Sequence, residues 1–471
     1  MHLSDASELE RTWQMQKAAS MAQPYPSAAQ RRADLLALKD FLCDHQEALV
    51  QAMAKDFGHR SRHETLMGDV VPVRRAIDHA LKHVSQWMRP QKRQTDGWHF
   101  WGTRNRVVPQ PLGVMGVIVP WNFPLNLSFM VLVDAFAAGN RVMVKMSEHS
   151  RHLTRLLIEK APQYFAHDKL AFFEETGGVG EAFAQLKFDH LVFTGSAQTA
   201  RSVMAQAAKN LCPVTLELGG MSPAVVCDDF DLRLAAQRIW FAKCFNAGQL
   251  CTDVNHVFVP HASVDAFVAE SKRVVQQRYG TLDSVDFGAI IDARSFDRLT
   301  SALQEAQAKG AQVVCLLDGP AWDAQTRKIA PHLVLNVPHD CALFAREIFG
   351  PILPVYGYQR LDEVVYAISR QPTPLAFYIF SHSNEVQQHL MTHVRSGGVS
   401  VNDAIFHTVQ HDLPFGGWGE SGMGRYHGRD GFMAFSHLRA VFYQTRISSS
   451  RLIWPPYGKL ANAYLSWLLK K

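Results

Sequence analysis

The chain has 471 residues, of which 47% are hydrophobic and 19% charged, with a formal net charge of +5. That length exceeds one ordinary core and predicts roughly two to three domains. The mild basic excess is spread along the chain with no basic block interleaved with aromatics, so nucleic-acid binding is not expected. Seven cysteines, odd in number and without Cys-x-x-Cys spacing, suggest neither a disulfide framework nor a zinc site. Free thiols, no bound metal and a reducing, cytoplasmic compartment are expected. The opening "MHLSDASELERTWQ" is charged and lacks an apolar stretch, so no signal peptide is expected either.

In chain order, residues 28–56 predict an amphipathic helix, with Leu35, Leu38, Leu42, Leu49 and Met53 recurring at helical spacing. A second helical stretch covers about 64–88. "RPQKRQTDGWHFWGTRNRVVPQP" then breaks the pattern and reads as a linker or an exposed hairpin. Three strand–loop–helix units follow: "GVMGVIV" then "PWNFP", "RVMVK" then "MSEHS", and "HLVF" then "TGSAQ". Apolar strands alternating with helices predict an α/β fold, a parallel sheet covered on both faces. Ligands of such sheets sit beyond the carboxyl ends of the strands, where Trp121, Asn122, Lys145, Ser147, Glu148, Gly195 and Ser196 fall. From about 222 a second α/β series begins with "SPAVVC", a helix over 233–246, "NHVFVP", a helix over 262–278, "AQVVCLL" and "HLVLNV". Near 397 the texture changes to "GGVSVNDAIFH" and a glycine-dense "PFGGWGESGMGRYHG".

Several loop residues are candidates for chemistry. "TGS" opening a helix offers free N–H groups to a phosphate, although a plain strand–helix turn has the same sequence. Lys145 and Glu148 suit ribose hydroxyls, or else a surface lysine and a carboxylate stabilising a helix dipole. Asn122, held between two prolines, suits an oxyanion or the backbone of a tight turn. Glu217 in "VTLELGGMSP" lies on the face opposite Val214, Leu216 and Leu218. It is a buried base with a raised pKa or an edge-strand glutamate paired with a cation. Cys251 follows "FNAGQL", a polar flank that tilts it towards a nucleophile rather than a buried small hydrophobe.

Taken together, "PWNFP", "KMSE", "VFTGS", "LELGGMSP", "FNAGQLC", "EIFGP" and "PFGGWGESGMGRYHG" closely resemble the aldehyde dehydrogenase superfamily over about residues 8–460. "KDFGHRSRHET", "KMSE" and "PPYGKL" resemble its class 3 branch, with the coniferyl aldehyde dehydrogenases as the nearest group. The resemblance implies a Rossmann-like cofactor domain over 1–86 and 107–219 and an α/β catalytic domain over 220–397. A small β bridging element, 87–106 with 398–471, would make a homodimer. It implies oxidation of an aldehyde, aromatic of the cinnamyl type or medium-to-long aliphatic, to the acid, with NAD or alternatively NADP as hydride acceptor. Cys251 would be the nucleophile, Asn122 the oxyanion donor and Glu217 the base for the hydrolytic water. Trp121, Lys145, Glu148, Gly195, Ser196, Glu347 and Phe349 would hold the cofactor, Glu347 on the nicotinamide ribose and Phe349 against the ring.

The pattern departs from the superfamily at three places. Met221 stands in place of Lys, Ala200 in place of Gly, and "TDVNHV" follows the cysteine, where an Asp253 carboxylate facing the sulfur would disfavour the thiolate. Two other activities stay open: a cofactor-independent cysteine esterase using Glu217 or His256, and a non-catalytic nucleotide-binding descendant. In the tail, Leu460, Tyr464, Trp467 and Leu468 share one helical face closed by Lys470 and Lys471. That face suits a dimer partner or, less favoured, a membrane surface.

Overall fold

The computed structural model describes residues 5–96, 100–446, 448 and 454–469. The amphipathic stretch expected as one helix forms two, Ala28–Asp44 and Gln46–Phe57, broken at His45. Ser27 starts the first with a capping box to Gln30, which satisfies two helix-end donors. The break turns the second half so that Leu49, Ala52 and Met53 join Leu35, Leu38 and Leu42 in one core. Downstream, Arg62–Thr65 runs through a π-turn, Leu66–Val70, into the helix Val71–Trp87. Gly68 in that turn packs against Phe123 and Phe245, where a Cβ would lie 2.6 Å from the Phe123 ring.

The three predicted strand–helix units build a six-stranded sheet in the order Gly422–Met423, Val214–Leu218, His190–Gly195, Val114–Ile118, Arg141–Lys145, Leu170–Phe173. Its five longer strands are parallel, and Gly422–Met423 joins antiparallel. The first strand in sequence is central, so the winding direction reverses between Val114–Ile118 and His190–Gly195. That reversal parts the loops after the two strands and opens a crevice at their carboxyl ends. The helix Pro124–Ala138 covers this sheet. All of its residues are buried except Asn126 and Leu127, which marks it as a core helix rather than a surface one.

A seven-stranded sheet carries the second series, in the order Gln312–Cys315, His332–Leu335, Ile352–Tyr358, His256–Pro260, Pro223–Val226, Ala376–Phe380, Gly398–Val401. It is parallel except for its first strand. Gly398–Val401 pairs along Ala376–Phe380, so the division drawn after 397 falls between two hydrogen-bonded strands. Gly422–Met423, also beyond 398, belongs to the first sheet.

The segment 87–106 forms part of a hairpin, Gln91–Arg93 against Arg104–Pro111, extended by Ser436–Tyr443 into a three-stranded antiparallel sheet; residues 97–99 lie outside the described ones. The tail helix Lys459–Leu469 buries Ala461 and leaves Leu460, Leu465 and Leu469 exposed. Its closing Lys470 and Lys471 lie outside the described residues. Among those residues no helix is long and apolar enough to cross a membrane.

Candidate active site

Cys251 is presented by an unusual turn. The helix Leu232–Cys244 ends, and Asn246, Ala247 and Gly248 follow in left-handed conformation, with φ of 51°, 53° and 73°. Two non-glycine residues there cost roughly 1–2 kcal/mol each and persist only when neighbours hold them. The neighbours are the amides of the motif. Asn246 Nδ2 donates to the carbonyls of Asn122 (3.2 Å) and Gln249 (3.3 Å). Gln249 Nε2 donates to the carbonyls of Asn246 (2.8 Å) and Ala289 (3.1 Å), while its Oε1 accepts from the Ile291 N–H. Gly248 is required for a second reason: a Cβ would collide with the Gly350 carbonyl. The polar flank of the cysteine therefore shapes its loop.

Asn122 is tied to the same turn. Its Nδ2 donates to the Gln249 carbonyl at 3.2 Å, and an amide nitrogen has a second N–H to give. The buried Arg60 holds Asn122 from behind, donating to its carbonyl at 3.2 Å and pairing with Asp69 at 2.9 Å. The guanidinium lies between the rings of Phe57 and Phe123, 4.8 Å from each centroid. One helical turn on, Glu64 Oε1 accepts the Asn246 N–H at 3.2 Å, and burial pushes its carboxyl up to about 7. The sequence pattern does not announce Arg60, in the connection before the helix, or Glu64, because charges in loops and helical segments read as solvated.

On one side Cys251 opens to a cavity of about 220 Å³ that carries the Glu217 and Glu347 carboxyl groups. Trp121, Asn122, Gly195, Ser196, Glu217, Glu347 and Phe349 line it with the thiol, so eight of the ten expected site residues meet. Glu217 reaches it from Val214–Leu218, in register with Thr194 and Gly422, while Leu216 and Leu218 face the core on the other side. The Glu217 carboxylate is buried and, beyond a weak pull from the Gly417 N–H, its two oxygens make no hydrogen bond among the described residues. Burial raises its pKa well above the ordinary value. Met221, buried and uncharged, brings no cation to it. Glu347 is seated where a Gly219 side chain would stand and accepts the Gly220 N–H at 3.3 Å. Burial pushes it up to about 8.

Burial, and then the Glu347 and Glu217 charges, push the Cys251 thiol up to about 12. The N–H groups of Cys251 and Thr252 pull the other way. Asp253 does not face the sulfur. It pairs with the fully buried Lys243 at 2.5 Å, which neutralises the charge that the segment after the cysteine introduces. Breaking such a pair costs roughly 3–5 kcal/mol, so it also anchors the loop. His256 lines neither cavity beside the thiol. It sits buried against Phe258 and Tyr356, where burial pushes its ring down to about 3. That placement removes His256 as a base for Cys251.

On the other side Cys251 and Asn122 open to an apolar cavity of about 320 Å³. Phe123, Leu127 and Met130, Phe241 and Phe245, Phe406, Phe415 and Tyr426 wall it. Two ring pairs lie nearly parallel, Phe123 with Phe245 (11°) and Phe241 with Phe406 (8°). Asn126 and Leu127, the two residues of Pro124–Ala138 not buried in the core, are among those facing it.

The aldehyde dehydrogenase family model matches residues 1–441. This chain belongs to that family. A probable coniferyl aldehyde dehydrogenase of Pseudomonas aeruginosa is 45% identical over 456 residues, covering 97% of this chain and 95% of that protein. The coniferyl aldehyde dehydrogenase of Pseudomonas sp. strain HR199 is 42% identical over 434 residues, covering 91% and 89%. Among solved structures, the substrate-bound state of Staphylococcus aureus AldH superposes with a TM-score of 0.92 at 30% identity, covering 98% and 99%. This aldehyde dehydrogenase oxidises an aldehyde to the acid and uses a nicotinamide dinucleotide.

The residues of the enzyme fit that cofactor. Ser196 caps the helix Ala197–Lys209, its Oγ accepting the Thr199 N–H, and the helix start beside Gly195 is open to a phosphate. Ala200, in place of glycine, faces the core and leaves that end unobstructed. Trp121 and Phe349 meet edge to face at 5.5 Å, with Phe349 in left-handed conformation. Lys145 and Glu148 lie outside this cavity, beyond the neighbouring strand. Lys145 pairs with Glu175 at 2.7 Å, and the half-exposed Glu148 accepts from Ser147 Oγ. Glu175 itself accepts the N–H groups of Gly177, Val179 and Gly180, a role the sequence pattern does not show.

Proposed function

We propose that this enzyme oxidises planar aromatic aldehydes of the hydroxycinnamyl type, with NAD preferred over NADP. The observation that carries this reading is the thiol shared between two unlike cavities, one lined by carboxylates and strand-end loops, the other by near-parallel aromatic rings. Flat conjugated aldehydes suit a cavity walled by such rings. The relatives named for coniferyl aldehyde support the same class.

Cys251 attacks the carbonyl carbon, and the second N–H of Asn122 stabilises the oxyanion as its charge develops. The thiol proton leaves to solvent as attack begins, and Glu217, buried and with a raised pKa, stays free to act as base in the hydrolytic step. A nicotinamide cofactor bound beside Cys251 and Glu347 would supply the hydride acceptor for the oxidation, and Cys251 would carry the acyl group as a thioester until water arrives. Glu217 then deprotonates a water that cleaves the thioester, releasing the acid and restoring the thiol. Glu347 would hold the nicotinamide ribose, with Trp121 and Phe349 towards the ring, Gly195 and Ser196 towards the phosphates, and Lys145 and Glu148 towards the adenine-side ribose. The Glu148 carboxylate repels the extra phosphate of NADP. The three-stranded sheet, with Leu438, Phe442 and Tyr443 exposed on its outer strand, supports a homodimer, and the free cysteines support a reducing, cytoplasmic setting.

A panel of cinnamyl, benzyl and long-chain aliphatic aldehydes, run with NAD and NADP, tests the reading. The highest kcat/KM is expected for a hydroxycinnamyl aldehyde with NAD, and Cys251→Ala should lose at least about 10⁴-fold of that activity. A best rate on an aliphatic aldehyde, or full activity in the variant, would contradict it.

A further inference from the structure

Asn122 is held at both of its ends. Its side-chain Nδ2 gives one N–H to the Gln249 carbonyl at 3.2 Å and keeps a second N–H beside the cavity it lines with Cys251. Its main-chain carbonyl accepts two hydrogen bonds, from Asn246 Nδ2 at 3.2 Å and from Arg60 Nη1 at 3.2 Å. The Asn246 bond ties the loop to the Cys251 turn. The Arg60 bond ties it to the connection before the helix Arg62–Thr65. Such anchors matter in "PWNFP", because Pro120 and Pro124 have no N–H with which to pin the loop.

Arg60 is itself fixed. Its side chain and that of Asp69 are fully buried, and its other terminal nitrogen, Nη2, pairs with Asp69 Oδ2 at 2.9 Å. Through its second oxygen Asp69 accepts the Asn126 N–H at 2.9 Å, so one carboxylate fixes both the guanidinium and the first turn of the helix Pro124–Ala138. The Phe57 and Phe123 rings, each centred 4.8 Å from the guanidinium, restrict it further. A planar fork of donors holds a carbonyl and a carboxylate at once, and a hydrogen bond given by a cation is the stronger kind.

We propose that Arg60 is a positioning residue for the oxyanion step: with Asp69 it sets the Asn122 backbone so that the free amide N–H meets the aldehyde oxygen as charge develops there. The proposal rests on the reading of Asn122 as the oxyanion donor. A preorganised donor is effective because it need not move as charge forms, and a misplacement of about 1 Å costs up to about 10²-fold in rate. Arg60 lines neither cavity beside the thiol, so its influence passes through Asn122. A buried pair that only supported the fold would lower activity by the same factor whether or not Asn122 kept its amide.

The test is a double-mutant cycle on the full-length protein, read as kcat/KM for 4-hydroxycinnamaldehyde at saturating NAD. One arm is Arg60→Met together with Asp69→Asn, which leaves no buried charge unpaired and keeps an acceptor for the Asn126 N–H. The other arm is Asn122→Ala. The paired change is expected to lower kcat/KM by about 10- to 100-fold where Asn122 is present and by less than about threefold where it is alanine. KM for NAD should stay nearly unchanged in the first case. A partial loss of folded protein enters both factors and cancels in their ratio. Arg60→Lys, which keeps a cationic donor beside Asp69, should lose less than the paired change. A ratio of the two factors below about threefold overturns the proposal. Asn122→Ala that costs less than about tenfold by itself overturns the oxyanion reading and this proposal with it.

Discussion

The two cavities that meet at Cys251 are built by different means. The carboxylate-bearing one gathers short loops at the carboxyl ends of parallel strands, with Gly195 and Glu217 in the hydrogen-bonded ladder and Asn122 and Ser196 in the loops beyond it. The apolar one gathers the faces of helices and a loop, with residues as far apart as Met67 and His427. Ladders hold polar groups in place without satisfying them, which is how Glu217 comes to be buried with only a weak pull from the Gly417 N–H. Helix faces offer rings and shape. The chemistry is therefore expected to depend on the first region and the choice of aldehyde on the second.

The largest effect that sharpens this contrast lies on the carboxylate-bearing side. Glu217→Gln should lower kcat by roughly 10²–10³-fold. As a base, Glu217 acts deprotonated, so wild-type kcat should rise with pH through its raised pKa, and that acid limb should vanish in the variant. A smaller effect is expected on the apolar side. Phe245→Ala removes one ring of a parallel pair and should raise KM for aromatic aldehydes about tenfold while leaving KM for NAD nearly unchanged. Equal changes in both KM values would break the division of labour.

The smallest effect concerns stability. The Glu347 carboxyl is pushed up from 4.5 to about 8 in the folded chain. The unfolded chain then binds fewer protons between those values, so wild-type stability falls as pH rises from about 4.5 to about 8. Glu347→Gln lacks that slope. Its Tm relative to wild type should climb by a few degrees between about pH 5 and about pH 8. A constant difference across that window would contradict the buried, ionisable setting.

The same contrast explains what the chain made legible. Strand-end loops carry their chemistry in short contiguous words, and eight of ten expected residues meet in one cavity. The walls of the other cavity have no such wording, since its residues are scattered along the chain and belong to helices whose spacing reports only burial. Glu64 and Lys243 were hidden for a related reason: charges at helical spacing read as a solvated face, yet both are buried. The two left-handed residues Asn246 and Ala247 had no glycine signal, because side-chain amides hold the turn instead.

The most direct measurement is intact-protein and peptide mass spectrometry of the Glu217→Gln protein mixed with one equivalent of 4-hydroxycinnamaldehyde and excess NAD. With hydrolysis slowed, the acyl mass should accumulate on the peptide carrying Cys251, and only when NAD is present. An acyl group on Cys244 or another thiol, or on Cys251 without NAD, would contradict a single sulfur standing between the two cavities.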